Sequence, residues 1–388
     1  MIGATPGNFR HSRAPSVWRH LDLVLIGAVV LISAFGSLMI YTATRDRLQA
    51  EGLSPQFYVK KQLIFMAIGL VVMIAVAAID YRRYRDWAPL FYGVSVLALL
   101  AVYAVGHKSK GAQAWFQFGS YQLEPSEFAK IGLIVALAAY CANFKGRLSG
   151  RALGVIIVLA AIPFLLIYKQ PDLGSALVLG AVLIALVLIA GARGRHLGLL
   201  ALVALFGIVG VVHFGVLKHY QQARLTSFVS SPDQPDPKLL QTVAGASQYN
   251  LAESKLTISH GSWFGQGIGK GTQTNLSYVP EQQTDFIFTA VGEQVGLAGS
   301  ALLLVLFIVV VWRTWRAATL SRDLAGTLIC VGVLAMLVFQ VFENIGMTMG
   351  IMPIAGIPLP FMSYGGSALI ACFAAVGLVL NVRMRRFA

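Results

Sequence analysis

Pro280-Glu281-Gln282-Gln283-Thr284-Asp285-Phe286-Ile287-Phe288 is where a long polar stretch runs into an apolar run that continues to about residue 312. A run of that length suits a bilayer crossing, which needs about 20 apolar residues. Asp285 stands at the boundary. A carboxylate placed where water is scarce is costly unless it has a partner or a chemical role.

The same signature recurs through the chain. Of its 388 residues, 57% are hydrophobic and 12% charged, whereas soluble domains usually carry about a quarter charged residues. Apolar runs lie near 21–42, 62–79, 88–106, 127–142, 153–168, 173–190, 197–217, 285–312, 325–349 and 365–382. This predicts an all-α polytopic membrane protein with ten transmembrane helices. It forms a single membrane domain over 1–388, behind a polar N-terminal tail at 1–20. No small-residue cleavage site follows the first run, so it reads as an uncleaved span without a signal peptide.

Charge orients the spans. With the N-terminus in the cytoplasm, the inner segments carry Arg10, Arg13 and Arg19; Arg82, Arg83 and Arg85; Lys145, Arg147 and Arg151; Arg193 and Arg195; Arg313, Arg316 and Arg322; and Arg383, Arg385 and Arg386. Asp22, Asp80, Asp86 and Asp323 are the acids beside them. Every inner loop is basic, as the positive-inside rule expects, and both termini fall in the cytoplasm. The net charge of +14 is therefore a topology signal. It does not point to nucleic acid, because the basic residues are divided among short loops instead of gathered on one face. Cys141, Cys330 and Cys372 lie in or at the end of apolar runs and suggest neither a disulfide framework nor a zinc site.

One large extracytoplasmic loop, 218–284, separates the seventh and eighth spans. Its first half is rich in turn formers, and its end is glycine-rich through Gly261, Gly265, Gly267, Gly269 and Gly271. One or two short helices at the outer membrane surface, followed by a tight glycine segment, are expected. A second irregular stretch, from Met349 to Ser367, holds three prolines between the last two spans and cannot be a regular helix. It reads either as a packed connector or as a segment dipping among the helices, with Ser363 offering a hydrogen bond to a polar headgroup.

Charged residues in the outer halves of spans are the candidate site. Glu127 and Lys130 follow Pro125 and share a helix face at a spacing of three. They form a structural ion pair, or Lys130 faces an anionic substrate while Glu127 positions it. Asp172, between Pro171 and Gly174, either caps a helix or lines a cavity at a helix break. Thr284 is as good a helix cap as Asp285, which leaves the latter free to project elsewhere. Glu293, eight residues on, falls on roughly the same helical face. A carboxylate in an apolar rim has a raised pKa, which suits a general base.

Several of these stretches resemble the SEDS family, the shape, elongation, division and sporulation proteins. They are Gly111-Ala112-Gln113 with Trp115; Pro125-Ser126-Glu127 with Lys130; Gln170-Pro171-Asp172-Leu173-Gly174; Pro280-Glu281 with Thr284-Asp285-Phe286-Ile287-Phe288; and Pro358-Leu359-Pro360 with Ser363-Tyr364-Gly365-Gly366. Gly271-Thr272-Gln273 and Asn344-Ile345-Gly346-Met347 are more similar to the RodA branch than to the FtsW branch. Two positions depart from the family pattern: Ala114 stands where relatives usually carry arginine, and Glu124 where they usually carry glutamine.

The resemblance implies an inverting peptidoglycan glycosyltransferase of the bacterial inner membrane, serving cell elongation and shape. Such an enzyme polymerises lipid II at the outer face, onto glycan linked to undecaprenyl pyrophosphate. It works with a class B penicillin-binding protein. The resemblance implies catalysis by Asp285 and substrate contacts by Glu127, Lys130 and Asp172; Glu281, Glu293 and Ser363 are further substrate-binding candidates. Lys130 or a divalent cation, Mg or Mn, would stabilise the leaving group. Two other classes fit a polytopic protein with intramembrane acids: a lipid II flippase or transporter, and a non-catalytic scaffold for a cell-wall synthase.

Overall fold

A computed structural model describes residues 20–109, 112–119, 121–144, 148–202 and 243–387. Its helices in chain order are α1 (Leu23–Ala50), α2 (Phe57–Ala78), α3 (Tyr81–Asp86), α4 (Ala88–Val105), α5 (Pro125–Cys141), α6 (Gly150–Lys169) and α7 (Leu173–Ile189). After these come α8 (Val243–His260), α9 (Thr272–Asn275), α10 (Ile287–Thr319), α11 (Leu324–Met349) and α12 (Gly366–Met384). Among the described residues, eight helices are long and apolar enough to cross a membrane, and Leu173–Ile189 is a shorter apolar helix. The expected span at 197–217 is helical at 194–202, and its remainder lies outside the described residues.

The chain is not all-α. Between α4 and α5 it forms β1 (His107–Ser109), β2 (Ala112–Phe118) and β3 (Tyr121–Leu123). The three strands make an antiparallel sheet in that order. The segment is too short and too polar to cross a membrane, and aromatic residues in a half-buried ribbon favour strand. A small sheet of this kind needs a packing surface. Here β2 rests on α4 and α5, and β3 on α12.

Local chemistry sets the helix starts. Asp22 accepts from the Leu25 amide at 3.2 Å, Asp172 from Ser175 at 2.9 Å and Asp323 from Gly326 at 2.8 Å, each satisfying an amide that a helix start leaves open. α12 is the most enclosed of the long helices, and α2 and α4 are the most peripheral. α12 packs on α2, α5, α10 and α11, while α4 packs on α5 and α6.

The eighth span is broken. α10 has 33 residues, or about 50 Å of helix against a hydrocarbon core of about 30 Å. Gly296 interrupts it with φ 64° and ψ −162°. A Cβ there would stand 2.3 Å from the Gly265 nitrogen. The freed backbone groups bond to the glycine-rich loop. The Gln266 and Gly267 amides donate to the carbonyls of Glu293 (2.9 Å) and Gln294 (3.0 Å). The Leu297 and Ala298 amides donate to Ser262 and Trp263, each at 3.0 Å. The described part of the long loop, from residue 243 on, is therefore built into the protein. Its helix α8 is longer than expected and packs on α10 and α11. Leu251, Val279, Phe286, Met347 and Ile354 form a second small core beneath it.

Opposite ends of the helices carry different chemistry. At one end Asp22 is 1% exposed. It accepts from Arg313 Nε at 2.8 Å and Nη2 at 2.5 Å, and from Arg383. Arg385 donates to the Ala77 and Ala78 carbonyls that end α2, at 3.0 and 2.7 Å. The start of α1 and the ends of α2, α10 and α12 thus meet in one arginine-rich layer. At the other end lie the starts of α5, α7, α10 and α12.

Removing one partner of a buried ion pair strands the other charges, at a cost of about 3–5 kcal/mol. Asp22→Ala should therefore lower the thermal midpoint of the detergent-solubilised protein strongly. Glu51→Gln, at the exposed end of α1, should leave it unchanged. Thermal unfolding followed by size-exclusion chromatography checks both.

Candidate active site

Asp285 lies in a turn before α10, not on the helix. Glu281, at φ 53°, reverses the chain, and its carbonyl accepts from the amides of Thr284 (3.1 Å) and Asp285 (3.3 Å). The helix cap is Phe286, without a side-chain bond, so neither Thr284 nor Asp285 caps α10. Three contacts hold the turn. Asn344 Nδ2 donates to the Asp285 carbonyl and to the Ile357 carbonyl, both at 2.7 Å. The Tyr364 amide donates to the Gln283 carbonyl at 2.8 Å. Gln282 Nε2 donates to Thr274 Oγ1 at 3.1 Å and Thr289 Oγ1 at 2.9 Å. The Asp285 side chain is half-buried.

The second element is the start of α5. Lys130 Nζ donates to Glu127 Oε1 at 2.7 Å, with both residues almost fully buried. The expected pair therefore forms away from solvent. Glu124 precedes it. Its Oε2 accepts from Trp115 Nε1 at 3.1 Å, its Oε1 from Ser126 Oγ at 2.7 Å, and its amide donates to Ser367 Oγ at 2.9 Å. Burial pushes the Glu124 carboxyl up to about 8, and the charges of Asp172 and Glu127 add to the rise, against Ser126 and Lys130. Glu124, Glu127, Lys130 and Asp172 are thus electrostatic neighbours across the starts of α5 and α7. Asp172 caps α7 through Oδ1, while its Oδ2 is buried without a hydrogen-bond partner.

The remaining candidates are placed differently. Glu293 was expected on the face of Asp285, but Asp285 is outside the helix, so helical spacing does not relate them. Glu293 instead accepts from the amides of Gln273 (2.7 Å) and Thr274 (2.9 Å) and from Thr274 Oγ1 (2.6 Å). It fixes the loop through α9. Ser363 Oγ accepts from the Leu359 amide at 2.8 Å within the turn at Phe361, whose φ is 64°. Its carbonyl accepts from Gln62 Nε2 at 3.2 Å. Glu281 contributes its backbone carbonyl to the Asp285 turn.

The connector 350–365 has no regular helix and is packed inside the protein, with Ile354, Ile357, Leu359, Phe361 and Met362 buried. It binds the Asp285 turn through Asn344 and Tyr364, and it touches α7 where Gly174 meets Ala355 and Ile357. Sequence reasoning missed Asn344 as a support. Its signal was an amide side chain in an apolar span, which needs hydrogen-bond partners. Four helix starts lie at this end, each presenting the positive end of a helix dipole, an arrangement that favours anions.

A family of cell cycle proteins comprising FtsW, RodA and SpoVE matches residues 22–387. Stage V sporulation protein E of Bacillus subtilis is 34% identical over 365 residues, 93% of this chain and 96% of that protein. The peptidoglycan glycosyltransferase MrdB of Escherichia coli is 33% identical over 367 residues, 95% of this chain and 94% of that protein. Among solved structures, a chain of a peptidoglycan synthase complex that coordinates polymerization and crosslinking superposes with a TM-score of 0.77 at 32% identity, covering 95% of this chain and 98% of that one. Rod shape determining protein RodA of Thermus thermophilus superposes with a TM-score of 0.69 at 29% identity, covering 96% and 99%.

A carboxyl whose folded pKa lies above its unfolded value binds more protons in the native state. Stability then falls as pH rises from the unfolded pKa to the folded one. For Glu124 that window runs from its ordinary value of 4.5 to about 8. Glu124→Gln should flatten the fall in thermal midpoint across this window, which thermal unfolding at stepped pH measures.

Proposed function

The chain belongs to the FtsW, RodA and SpoVE family, and from that membership we propose that it is a peptidoglycan glycosyltransferase that polymerises lipid II with Asp285 as general base. The arginine-rich layer around Asp22 faces the cytoplasm in this reading, as the positive-inside rule requires. Asp285, Glu127, Lys130 and Asp172 then lie toward the outer face of the cytoplasmic membrane, and both termini lie inside. A flippase would need access from both faces, whereas these charges gather at one end.

The observation that carries the proposal is the anchoring of the Asp285 turn to Asn344 and Tyr364, at the end where the buried Glu127–Lys130 pair also lies. Asp285 takes the proton from the 4-hydroxyl of the acceptor sugar. That oxygen attacks the anomeric carbon of the lipid-linked glycan, and the carbon–oxygen bond to pyrophosphate breaks. A β-linked product forms from an α-linked donor, and undecaprenyl pyrophosphate leaves with the bonding electrons. Lys130 balances the charge of the leaving group, with Glu127 holding its ammonium in place.

A divalent cation would supply the same neutralisation. Among the described residues, no group of three or more His, Cys, Asp or Glu side chains is arranged to hold one, and Glu127 is already joined to Lys130. The steps above therefore use the protein's own cation. The RodA-like Gly271-Thr272-Gln273 and Asn344-Ile345-Gly346-Met347 segments favour a role in elongation. A class B penicillin-binding protein is the proposed partner, supported by the likeness to a chain of a complex that couples polymerization to crosslinking.

General-base catalysis is worth about 10²–10⁴ in rate. Asp285→Asn should keep a wild-type thermal midpoint and lose at least that factor in glycan synthesis from purified lipid II, read on gels with the partner present. Near-normal polymerisation would sink the assignment. Asn344→Ala frees the turn without touching the carboxylate. It should lower turnover by about 10- to 100-fold, the scale expected for misplacing a reacting group by about 1 Å.

A further inference from the structure

The outer end of α2 carries a cluster that the reaction as described does not use. Phe57, Tyr58, Lys61, Gln62 and Phe65 are spaced for one helical face. Lys61 Nζ sits 4.2 Å from the centre of the Phe57 ring and 5.5 Å from that of Tyr121, on β3. The Tyr121 ring meets Phe65 edge-on at 5.8 Å, and Tyr58 meets Tyr364 edge-on at 4.9 Å. The Tyr58 and Tyr121 phenols are both within electrostatic reach of Tyr364.

Three separate segments build the cluster: α2, β3 and the turn before α12. Gly366 is part of the construction, since a Cβ there would stand 2.6 Å from the Phe65 ring. Gln62, fully buried, donates to the Ser363 carbonyl, while its Oε1 is buried with no hydrogen-bond partner. The Tyr364 backbone bonds directly to the Asp285 turn. The cluster and the proposed base therefore share one support.

Its composition is not that of core packing. Phe57 is 41% exposed and Tyr121 44% exposed, and three of the five rings carry phenols. A lysine among the rings adds a cation that pure packing would exclude. Open aromatic faces suit the C–H face of a pyranose, phenols and amides suit its hydroxyls, and an ammonium suits a phosphate. A phospholipid headgroup offers a phosphate and, in phosphatidylglycerol, hydroxyls, but no pyranose face for the rings.

We propose that Tyr58, Lys61, Tyr121 and Tyr364 form a subsite for the phosphorylated sugar headgroup of a polyisoprenoid lipid, with Lys61 on the phosphate and Tyr121 against the sugar ring. The proposal rests on the glycosyltransferase reading and extends it. It assigns substrate contacts to α2 and β3, on the approach to the Asp285 turn, separate from the Glu127–Lys130 pair.

The test is equilibrium binding to the full-length Asp285→Asn protein in nanodiscs, so that no product forms. The probes are lipid II, undecaprenyl phosphate and phosphatidylglycerol. Lys61→Gln should weaken lipid II binding about tenfold, the scale of one charge-assisted hydrogen bond, and Lys61→Arg should restore most of it. Tyr121→Leu keeps an apolar side chain and removes the ring. It should weaken lipid II about fivefold or more while leaving undecaprenyl phosphate unchanged. Thermal midpoints must stay near that of the parent in all three variants; a fall in stability that tracks the loss of binding makes the cluster structural and overturns the subsite. Unchanged lipid II binding in both Lys61→Gln and Tyr121→Leu also overturns it, as does equal weakening of phosphatidylglycerol. Steady-state kinetics in the Asp285 protein separate the two readings. A raised KM with unchanged kcat supports the subsite. Binding that depends on Lys61 in a parent that makes no glycan sinks the polymerase and leaves the subsite standing.

Discussion

A backbone that leaves the helix at membrane depth must find its hydrogen bonds inside the protein, because hydrocarbon offers none. This chain leaves the helix at the Gly296 break and through the connector 350–365. At Gly296, four loop residues from Ser262 to Gly267 supply the missing donors and acceptors. Along the connector, Asn344 reaches Ile357 and Gln62 reaches Ser363. Arg45, on the extended end of α1, donates to the Gly269 carbonyl at 3.0 Å and ties the glycine loop to the first helix. The irregular segments are thereby tied to the helices around them.

That fixity is what a reaction at the membrane edge requires. Asp285 is placed by its neighbours' main chain and by one buried amide, so its carboxylate is not consumed in capping α10. The Glu127–Lys130 pair follows a different logic. Both charges are almost fully buried on one helix face, where each needs the other to offset its desolvation. A carboxylate near solvent and an ammonium held in the protein suit the complementary demands of the proposed reaction: one would exchange a proton, and the other would remain charged beside an anion. Glu293 shows the cost of assigning roles by residue type. It is a buried acid at the mouth, yet its oxygens are occupied in ordering residues 272–274.

Eight of the ten expected spans were legible among the described residues because an apolar run of about 20 residues has few alternatives, and the Glu127–Lys130 pair because i,i+3 spacing fixes a shared face. Asp172 as a cap followed from its place between Pro171 and Leu173-Gly174. The sheet at 107–123 was not legible. Its strands are three to seven residues long and are stabilised by α4, α5 and α12, which no local pattern reveals. The break at Gly296 was hidden because one glycine in an apolar run does not announce a loop folding onto it from thirty residues upstream. Asn344 appeared only as part of a motif, since its partners are carbonyls, and carbonyls carry no sequence signature.

The same reasoning accounts for Ala114 and Glu124, the two residues that the sequence reading expected to depart from the family pattern. Ala114 is 2% exposed and lies opposite the register shift between His107 and Lys108, where a small side chain lets the sheet close against α4 and α5. An ionised Glu124 would be unfavourable, because Asp172 and Glu127 already place negative charge nearby. Burial and these charges push its carboxyl up to about 8, which favours the neutral acid. A neutral carboxyl nearly matches glutamine in shape and can accept from both Trp115 and Ser126, the bonds that Glu124 makes. Protonation thus lets an acid do an amide's work. It spares the mouth a negative charge additional to those of Asp172 and Glu127.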